Sequence, residues 1–409
     1  CYQGGILLRS FSEWLPPVAS SSTIVNSTNN WLNADSFNQY ATIYWGIQKT
    51  YDYYQTEHNL IGWYDNNHEP HIQKPIRIGV NYGSSNPFLG WAPNTNYPNA
   101  VDGLPLIRVS SPSNNPTDIN DDIGNLITSQ CSWGNLGSID LLGHEYTHAI
   151  DHYNGLNLYS WQPDGSDPNY LEKVFRTRRF LESVCDIMGA CVEYKTIGTY
   201  DWVFMHDLTN SKELQRSFAE PNVYSYHIAE DCAFEAKTYQ LGQPRYYNQP
   251  GFYDNGTCED DSYVNGGVLN HWFYLLVKGS ILGNDIIDGI HYTVNPINAD
   301  PNVALENAEN IIYMVFLNNL TDPSIKFDPN VDDYEQICMK TLLAANTLFP
   351  PIDGICSPEL RSVKEAWKAV NLNCPLPSGV TCSICLPESP DNNICDNHLP
   401  YLTHLQCKQ

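Results

Sequence analysis

The stretch Ile139–Ile150 reads IDLLGHEYTHAI. Its apolar residues recur at helical intervals, so it is predicted to form a buried helix. His144 and His148 are four residues apart, and side chains at that spacing share one face of a helix. Both imidazoles can therefore reach one metal ion while Glu145 points at a water bound to it. Chance gives this pattern in about one or two of every hundred chains of this size, so it needs support from elsewhere in the sequence.

A second predicted helix, Leu181–Gly189, carries two acidic residues one turn apart. Buried carboxylates need partners. Glu182 is therefore the predicted third metal ligand, and Asp186 is the predicted acceptor for the free ring N–H of a ligating histidine. The alternative is that both acids pair with Arg178 and Arg179 at a helix surface.

Three protein ligands leave one position of a tetrahedral zinc ion for water, which is the arrangement of catalytic rather than structural zinc sites. Bound zinc lowers the pKa of that water, and Glu145 can take its proton as a general base and pass it to a leaving amine. The predicted reaction is therefore the hydrolysis of an amide bond.

The composition narrows the class of protein. The 409 residues include 21 basic and 46 acidic side chains, and the formal charge of −25 argues against nucleic acid as a partner. An apolar fraction of 42% with 12% aromatic residues predicts a folded chain, because disordered chains lack bulky apolar residues. No stretch approaches the ~20 apolar residues that a membrane-spanning helix requires. A folded, acidic chain without a membrane span is predicted.

Cysteines and glycosylation motifs point to an oxidising compartment. Of the 13 cysteines, five lie at or after Cys374 without histidines at zinc-finger intervals, so a disulfide-bonded tail is predicted. The odd total leaves one thiol free or bonded to another chain. Asn-X-Ser/Thr motifs begin at Asn26, Asn255 and Asn319. The protein is therefore predicted to be secreted and glycosylated.

The order of elements predicts an α+β fold in three parts. Residues 1–152 contain short alternating segments typical of strands and end in the helix of the two histidines. Residues 153–372 are mainly helical, and residues 373–409 form the cysteine-rich tail. In the first part, one helix of about four turns is predicted. Its apolar stripe consists of Ile43, Ile47, Tyr51 and Tyr54. The last helix is predicted to be capped by Ser357, with Pro358 in its first turn.

These features resemble the thermolysin family of secreted neutral zinc metalloendopeptidases, of the gluzincin type. The likeness covers Thr50–Asn59, His144–His148, Glu182–Glu193 and Tyr334–Leu372, in that order. It implies a two-lobed thermolysin-like fold, with a strand-rich N-terminal lobe, a mainly helical C-terminal lobe and the zinc site between them. It also implies that His144, His148 and Glu182 bind zinc. Glu145 is then the general base, and Asp186 is the hydrogen-bond partner of His144.

The resemblance implies further site residues. Arg216 matches the arginine that holds a substrate carbonyl, and Asn99 and Ala100 match the edge strand that pairs with the substrate backbone. Calcium ligands of the family match Asp140, Glu193 and Asp201. Two other ligand positions hold Val203 and His206 instead. One weakly bound calcium ion or none is therefore expected, and the alternative for these acids is ordinary solvated charge.

The sequence departs from the family near the site. Tyr263 stands where the family has a catalytic histidine, which donates a hydrogen bond to the oxyanion of the tetrahedral intermediate. A phenol can donate the same bond but cannot carry a positive charge. Leu181 replaces an asparagine that supports the second histidine. The connection to Glu182 is also longer than usual, with an insertion around Ser160–Arg178.

Two functions therefore stay open. The first is a secreted zinc endopeptidase that cleaves internal bonds of protein or peptide substrates, with activity reduced by Tyr263. The second is a catalytically weak or inactive metallopeptidase-fold glycoprotein with a structural or adhesive extracellular role. In that second reading, the odd cysteine joins subunits into disulfide-linked or filament-type assemblies.

Overall fold

The structure is a computed structural model of the chain. The residues that it describes are 7–10, 22–23, 35–60, 77–80, 90–92, 106–109, 119–120, 126–127, 138–153, 166, 170–206, 215–223, 242–249, 264–280, 286–287, 290–321, 333–378, 380 and 382. Helices dominate this described part, and the strands in it are short.

The helices are α1 (Asp35–His58), α2 (Ile139–Tyr153), α3 (Tyr170–Ile197), α4 (Gly267–Lys278), α5 (Pro301–Thr321), α6 (Asp333–Leu348) and α7 (Pro358–Ala369). A short 3-10 helix spans Pro221–Val223. Among the described residues, no helix combines the length and apolar character that a membrane crossing requires.

The strands are β1 (Leu7–Ser10), β2 (Ser22–Thr23), β3 (Arg77–Val80), β4 (Gly90–Ala92), β5 (Leu106–Val109), β6 (Ile119–Asn120), β7 (Leu126–Ile127), β8 (Val203–Phe204), β9 (Arg216–Ser217), β10 (Ile286–Ile287) and β11 (Ile290–His291). Five of them form one sheet in the order β2-β1-β3-β5-β4. Its three inner strands are parallel, with Ile78 of β3 opposite Leu8 and Ile107, and its edge strands are antiparallel. The strands predicted before α2 are confirmed in this sheet.

Helix α1 packs against α2 through the predicted apolar stripe. Ile43, Ile47 and Tyr54 are at most 1% exposed, as the 3.6-residue period requires for one buried face. The Tyr54 ring stacks on Tyr146 of α2 at 5.3 Å between centroids, and its hydroxyl lies 2.5 Å from that of Thr147. At 24 residues, α1 is longer than the four turns predicted.

The C-terminal helices share a core with α3. Trp272 of α4 stacks on Trp367 of α7, with 4.8 Å between ring centroids, and both side chains are fully buried. The predicted start of α7 is confirmed. The Ser357 hydroxyl accepts a hydrogen bond of 3.1 Å from the backbone N–H of Leu360, with Pro358 in the first turn.

Two disulfides join the cysteine-rich tail to the helices. Cys374 is bonded to Cys338 of α6, and Cys382 to Cys356 just before α7. The tail is therefore attached to the helical core at these two points. Cys185 and Cys191 of α3 are free and buried. Burial raises the pKa of both thiols, so they stay protonated and unreactive near neutral pH.

Helices α2 and α3 approach closely because each has a glycine at the crossing point. A Cβ on Gly143 would lie 2.9 Å from the Cα of Gly189, and a Cβ on Gly189 would overlap the carbonyl oxygen of Asp140. Both obstructions involve backbone, which cannot rotate away. Since Gly143 precedes His144 directly, this crossing sets the distance between the histidines of α2 and the acids of α3.

We expect Gly189→Ala to separate α2 from α3. Overpacking of this kind costs about 1–3 kcal/mol of unfolding free energy. Denaturant unfolding measures this loss, and a zinc titration should show weaker binding because Glu182 moves away from the histidines. Ile197→Ala on the same helix is the control, because Ile197 is 52% exposed and its truncation should change stability by less than about 0.5 kcal/mol. A Gly189→Ala protein as stable as wild type would contradict the proposed crossing.

Candidate metal centre

Helix α2 places the two histidines of the motif in a buried position. His144 is 4% and His148 6% exposed, and Glu145 between them is 6% exposed. Apolar residues such as Leu142 and Ala149 fill the rest of the helix surface, which explains the burial. The rings of the two histidines are 4.7 Å apart, and their Nε2 atoms face each other at 3.1 Å.

Helix α3 brings Glu182 to the same point. Its Oε2 atom lies 3.3 Å from Nε2 of His144 and 3.3 Å from Nε2 of His148. Among the residues that the structure describes, His144, His148 and Glu182 are the one group of three His, Cys, Asp or Glu side chains whose possible ligand atoms all lie within 4.8 Å of one another. Glu182 is 3% exposed, and its Oε2 faces both imidazoles.

The geometry of these three atoms fits zinc. A tetrahedral zinc ion with bonds of about 2.0–2.1 Å holds its nitrogen and oxygen ligands about 3.3 Å apart. The three separations here are 3.1, 3.3 and 3.3 Å. Two imidazole nitrogens and one carboxylate oxygen are also a donor set that zinc accepts.

Asp186, one turn after Glu182, fixes the orientation of His144. Its Oδ1 lies 2.9 Å from Nδ1 of His144. An ionised carboxylate only accepts hydrogen bonds, so Nδ1 carries the proton and donates it. In the neutral imidazole, which is the form that binds a metal, the lone pair of Nε2 then faces His148 and Glu182. Of the two arginines in the alternative pairing, Arg179 instead forms a bidentate pair with Asp333.

In this centre, the pKa of His144 is raised, and the pKa values of Glu182 and Asp186 are lowered. Burial by itself would lower the pKa of His144, but hydrogen bonds to Asp186 and Glu182 outweigh burial and raise it to about 10. Burial would raise the pKa of Glu182, but the two imidazoles hold it below its usual range. Arg216 and His144 likewise hold the pKa of Asp186 low against its burial. The carboxylates therefore stay ionised and attract a cation.

Arg216 contacts the same carboxylate as His144, that of Asp186. It is 6% exposed in β9, and its Nε and a terminal nitrogen donate to the Asp186 carboxylate at 2.8 and 2.5 Å. The guanidinium carbon also lies 4.3 Å from the centroid of the Phe204 ring. The orientation of Arg216 is therefore linked to that of His144 through one carboxylate.

The three acids matched to calcium ligands do not converge as the zinc group does. The Asp140 carboxylate accepts hydrogen bonds from the Ser138 hydroxyl and from the backbone N–H groups of Leu141 and Met205. Asp201 lies 2.5 Å from Nδ1 of His206. Glu193 belongs to α3. A calcium site at these residues stays a prediction.

Several predicted residues lie outside the described part of the chain. They are Tyr263, Asn99, Ala100, Asn26 and Asn255. Asn319 is described only as a residue of helix α5. The glycosylation sites, the substrate-binding strand and the oxyanion donor therefore stay predictions.

Sequence reasoning missed one residue that contacts the centre. Asn270 of α4 is fully buried, and its Nδ2 donates to Oδ2 of Asp186 at 3.0 Å. The available signal was a polar pair, Asn270 and His271, within a mainly apolar helix. Such a residue needs a buried partner, but the sequence does not reveal which one.

Comparisons with known proteins agree with this site. Residues 180–372 match the model of the thermolysin metallopeptidase alpha-helical domain. The thermostable neutral protease NprT of Geobacillus stearothermophilus is 26% identical over 241 residues, which are 58% of this chain and 33% of that protein. Bacillolysin of Bacillus cereus is 26% identical over 332 residues, or 80% of this chain and 42% of that protein. The chain thus spans less than half the length of these curated relatives.

A solved structure shares the fold. The precursor of protealysin, a metalloproteinase from Serratia proteamaculans, superposes with a TM-score of 0.54 at 15% sequence identity. The superposition covers 91% of this chain and 89% of that one. It supports a thermolysin-like fold with a helical C-terminal domain. The two-lobe layout and the domain boundaries at residues 152 and 372 stay predictions.

Fold and metal centre together resemble those of a metallopeptidase. The family model and the curated relatives are more specific, and they support a similarity to the thermolysin family.

Proposed function

We propose that this chain is a secreted zinc-dependent endopeptidase that hydrolyses internal peptide bonds of protein or peptide substrates. The observation that carries the proposal is the buried group of His144, His148 and Glu182, whose ligand atoms lie 3.1–3.3 Å apart. Supporting it, the curated relatives include several proteins named as proteases.

The three ligands would hold zinc with one position open to solvent. When bound there, zinc supplies a Lewis acid that polarises the substrate carbonyl and lowers the pKa of a water molecule. Asp186 holds His144 in the tautomer that leaves Nε2 free to ligate. The low pKa of Glu182 keeps that ligand ionised.

Glu145 is the proposed general base. It follows the first ligand directly and is 6% exposed, and the proposal places its carboxylate beside the metal centre. In this proposal it takes a proton from the attacking water and delivers it to the leaving amine. Each turnover returns Glu145 to its ionised form.

Three further groups are proposed to handle the substrate. Tyr263 would donate a hydrogen bond to the developing oxyanion through its hydroxyl. Arg216 would hold a substrate carbonyl while Asp186 fixes its guanidinium. The strand around Asn99 and Ala100 would pair with the substrate backbone.

The accessory features of the proposal come from the sequence. Secretion and glycosylation at Asn26, Asn255 and Asn319 suit a chain with disulfides and an acidic surface. One calcium ion at Asp140, Glu193 and Asp201 would be weak, because hydrogen bonds from Ser138, Leu141 and Met205 already occupy the Asp140 carboxylate.

The structural or adhesive alternative is not favoured. A purely structural zinc site has four protein ligands, whereas the group described here has three. A buried carboxylate beside the ligands, Glu145, also has no role in a structural site. Linked multimers on nonreducing gels together with no proteolytic activity would favour the alternative instead.

Chelation tests the proposed function. We expect the zinc-loaded protein to cleave a mixture of unstructured peptides at internal bonds, to lose that activity with a zinc chelator, and to regain it when zinc is added back. Mass spectrometry of the products identifies the cleaved bonds, and calcium supplied throughout separates zinc loss from calcium loss. A mature, zinc-loaded sample without chelator-sensitive cleavage would refute the proposal.

A further inference from the structure

Helix α4 contacts the metal centre through one buried amide. Asn270 is 0% exposed, and its Nδ2 lies 3.0 Å from Oδ2 of Asp186. Asp186 is an ionised acceptor, so the NH₂ side of the amide has to face it, and the opposite orientation would place oxygen against oxygen. The hydrogen bond therefore fixes which way Asn270 points.

The Asp186 carboxylate serves three donors from three elements. His144 of α2 and a terminal nitrogen of Arg216 in β9 share Oδ1, whereas Nε of Arg216 and Nδ2 of Asn270 share Oδ2. Without Asn270, Oδ2 has one donor, and the carboxylate can rotate toward Arg216. Rotation would also move Oδ1 away from Nδ1 of His144.

The other side of the amide makes no comparable contact. In the part of the chain that the structure describes, Asn270 Oδ1 is buried without a hydrogen-bond partner. An unpaired buried oxygen is unfavourable, so an apolar side chain would suit the interior of α4 better for packing alone. Of the two ends of the amide, the donor is the one with a partner among the described residues.

The start of α4 is held so that Asn270 stays in place. The Tyr334 hydroxyl of α6 donates to the carbonyl of Asn265 at 2.5 Å, and the Ser183 hydroxyl of α3 donates to the carbonyl of Gly266 at 3.3 Å. The backbone N–H of Asn270 itself bonds to Gly266 at 3.1 Å. The amide thus projects from a helix end that is anchored to both neighbouring helices.

We propose that Asn270 is a positioning residue, which holds the Asp186 carboxylate so that it orients His144 toward the metal and Arg216 toward the substrate. The part of this inference that concerns the metal needs only the group of His144, His148 and Glu182. The part that concerns the substrate rests on the proposed function. Asn270 itself contacts neither ligand atoms nor substrate.

The test measures zinc affinity of the metal-free protein by competition with a chromophoric chelator. We expect Asn270→Leu, which keeps the size of the side chain without its donor, to weaken zinc binding about tenfold or more, as measured for groups behind metal ligands. Asn270→Ala serves as a second variant if the leucine disturbs packing. In zinc-saturated protein, KM should rise more than kcat falls.

Two controls separate positioning from general loosening. Val268→Ala creates a cavity in the same helix, since Val268 is fully buried, but it should leave zinc affinity unchanged while lowering the melting temperature. In an Asp186→Ala background, Asn270→Leu should have no further effect on zinc affinity. Unchanged zinc affinity in Asn270→Leu, or an equal loss in Val268→Ala, would overturn the inference. If the wild-type protein binds zinc but cleaves no peptide, the proposed function fails. The zinc affinities of the variants then still test whether Asn270 positions His144.

Discussion

Glu145→Gln is expected to lower kcat for peptide cleavage by about 10²–10⁴, the range for loss of a general base. Glutamine has the same shape but cannot accept the proton of the attacking water. Zinc content and KM should stay at their wild-type values, because neither the ligands nor the substrate contacts change. Steady-state kinetics with elemental analysis of the same sample measures all three quantities.

Glu335→Gln provides the matched control for that experiment. Glu335 is an exposed residue of α6, so the same chemical change there should leave the rate unaltered. A Glu145→Gln protein with wild-type activity would show that this carboxylate is not the base. An inactive variant that has also lost zinc would show instead that Glu145 maintains the metal centre.

Tyr263→Phe is expected to lower kcat by about 10²–10³, which is the typical effect of removing one oxyanion donor. The substitution deletes only the hydroxyl, so zinc binding should be unchanged. Tyr263→His should restore a donor and add a pH dependence, since an imidazole titrates near ~6.5 whereas a phenol loses its proton only near ~10. Rate measurements from pH 5 to 9 compare the three proteins.

Tyr44→Phe is the control for hydroxyl removal, because Tyr44 is 41% exposed on α1. Full activity of Tyr263→Phe would mean that another group stabilises the oxyanion. In that case, the Tyr263 hydroxyl would have no role in the reaction.

Much of the metal centre was predictable because its chemistry lies within single helices. A spacing of four residues places His144 and His148 on one face whatever the rest of the fold does. The same local regularity placed Glu182 and Asp186 one turn apart on α3. Local signals also gave the cap of α7 at Ser357, where a side chain bonds a backbone group three residues away.

Contacts between distant residues were harder to foresee. The Arg216 guanidinium is bonded to Asp186, and Arg179 is bonded to Asp333, although the sequence had left open a pairing of the α3 arginines with the acids of the same helix. The choice depends on which elements pack side by side. A buried charge takes the partner that the packing brings within reach, and sequence spacing does not contain that information.

The two histidines, their helical spacing and the acidic residue between them could be read from the sequence alone, because all three belong to one helix. The remaining features depend on how the helices pack. The glycine crossing of α2 and α3 set the two separations of 3.3 Å between Glu182 and the histidines, and α4 supplied Asn270 as a third donor to Asp186. Such features arise only when helices far apart in the chain pack together, since most buried polar groups then pair with whichever group the packing brings near.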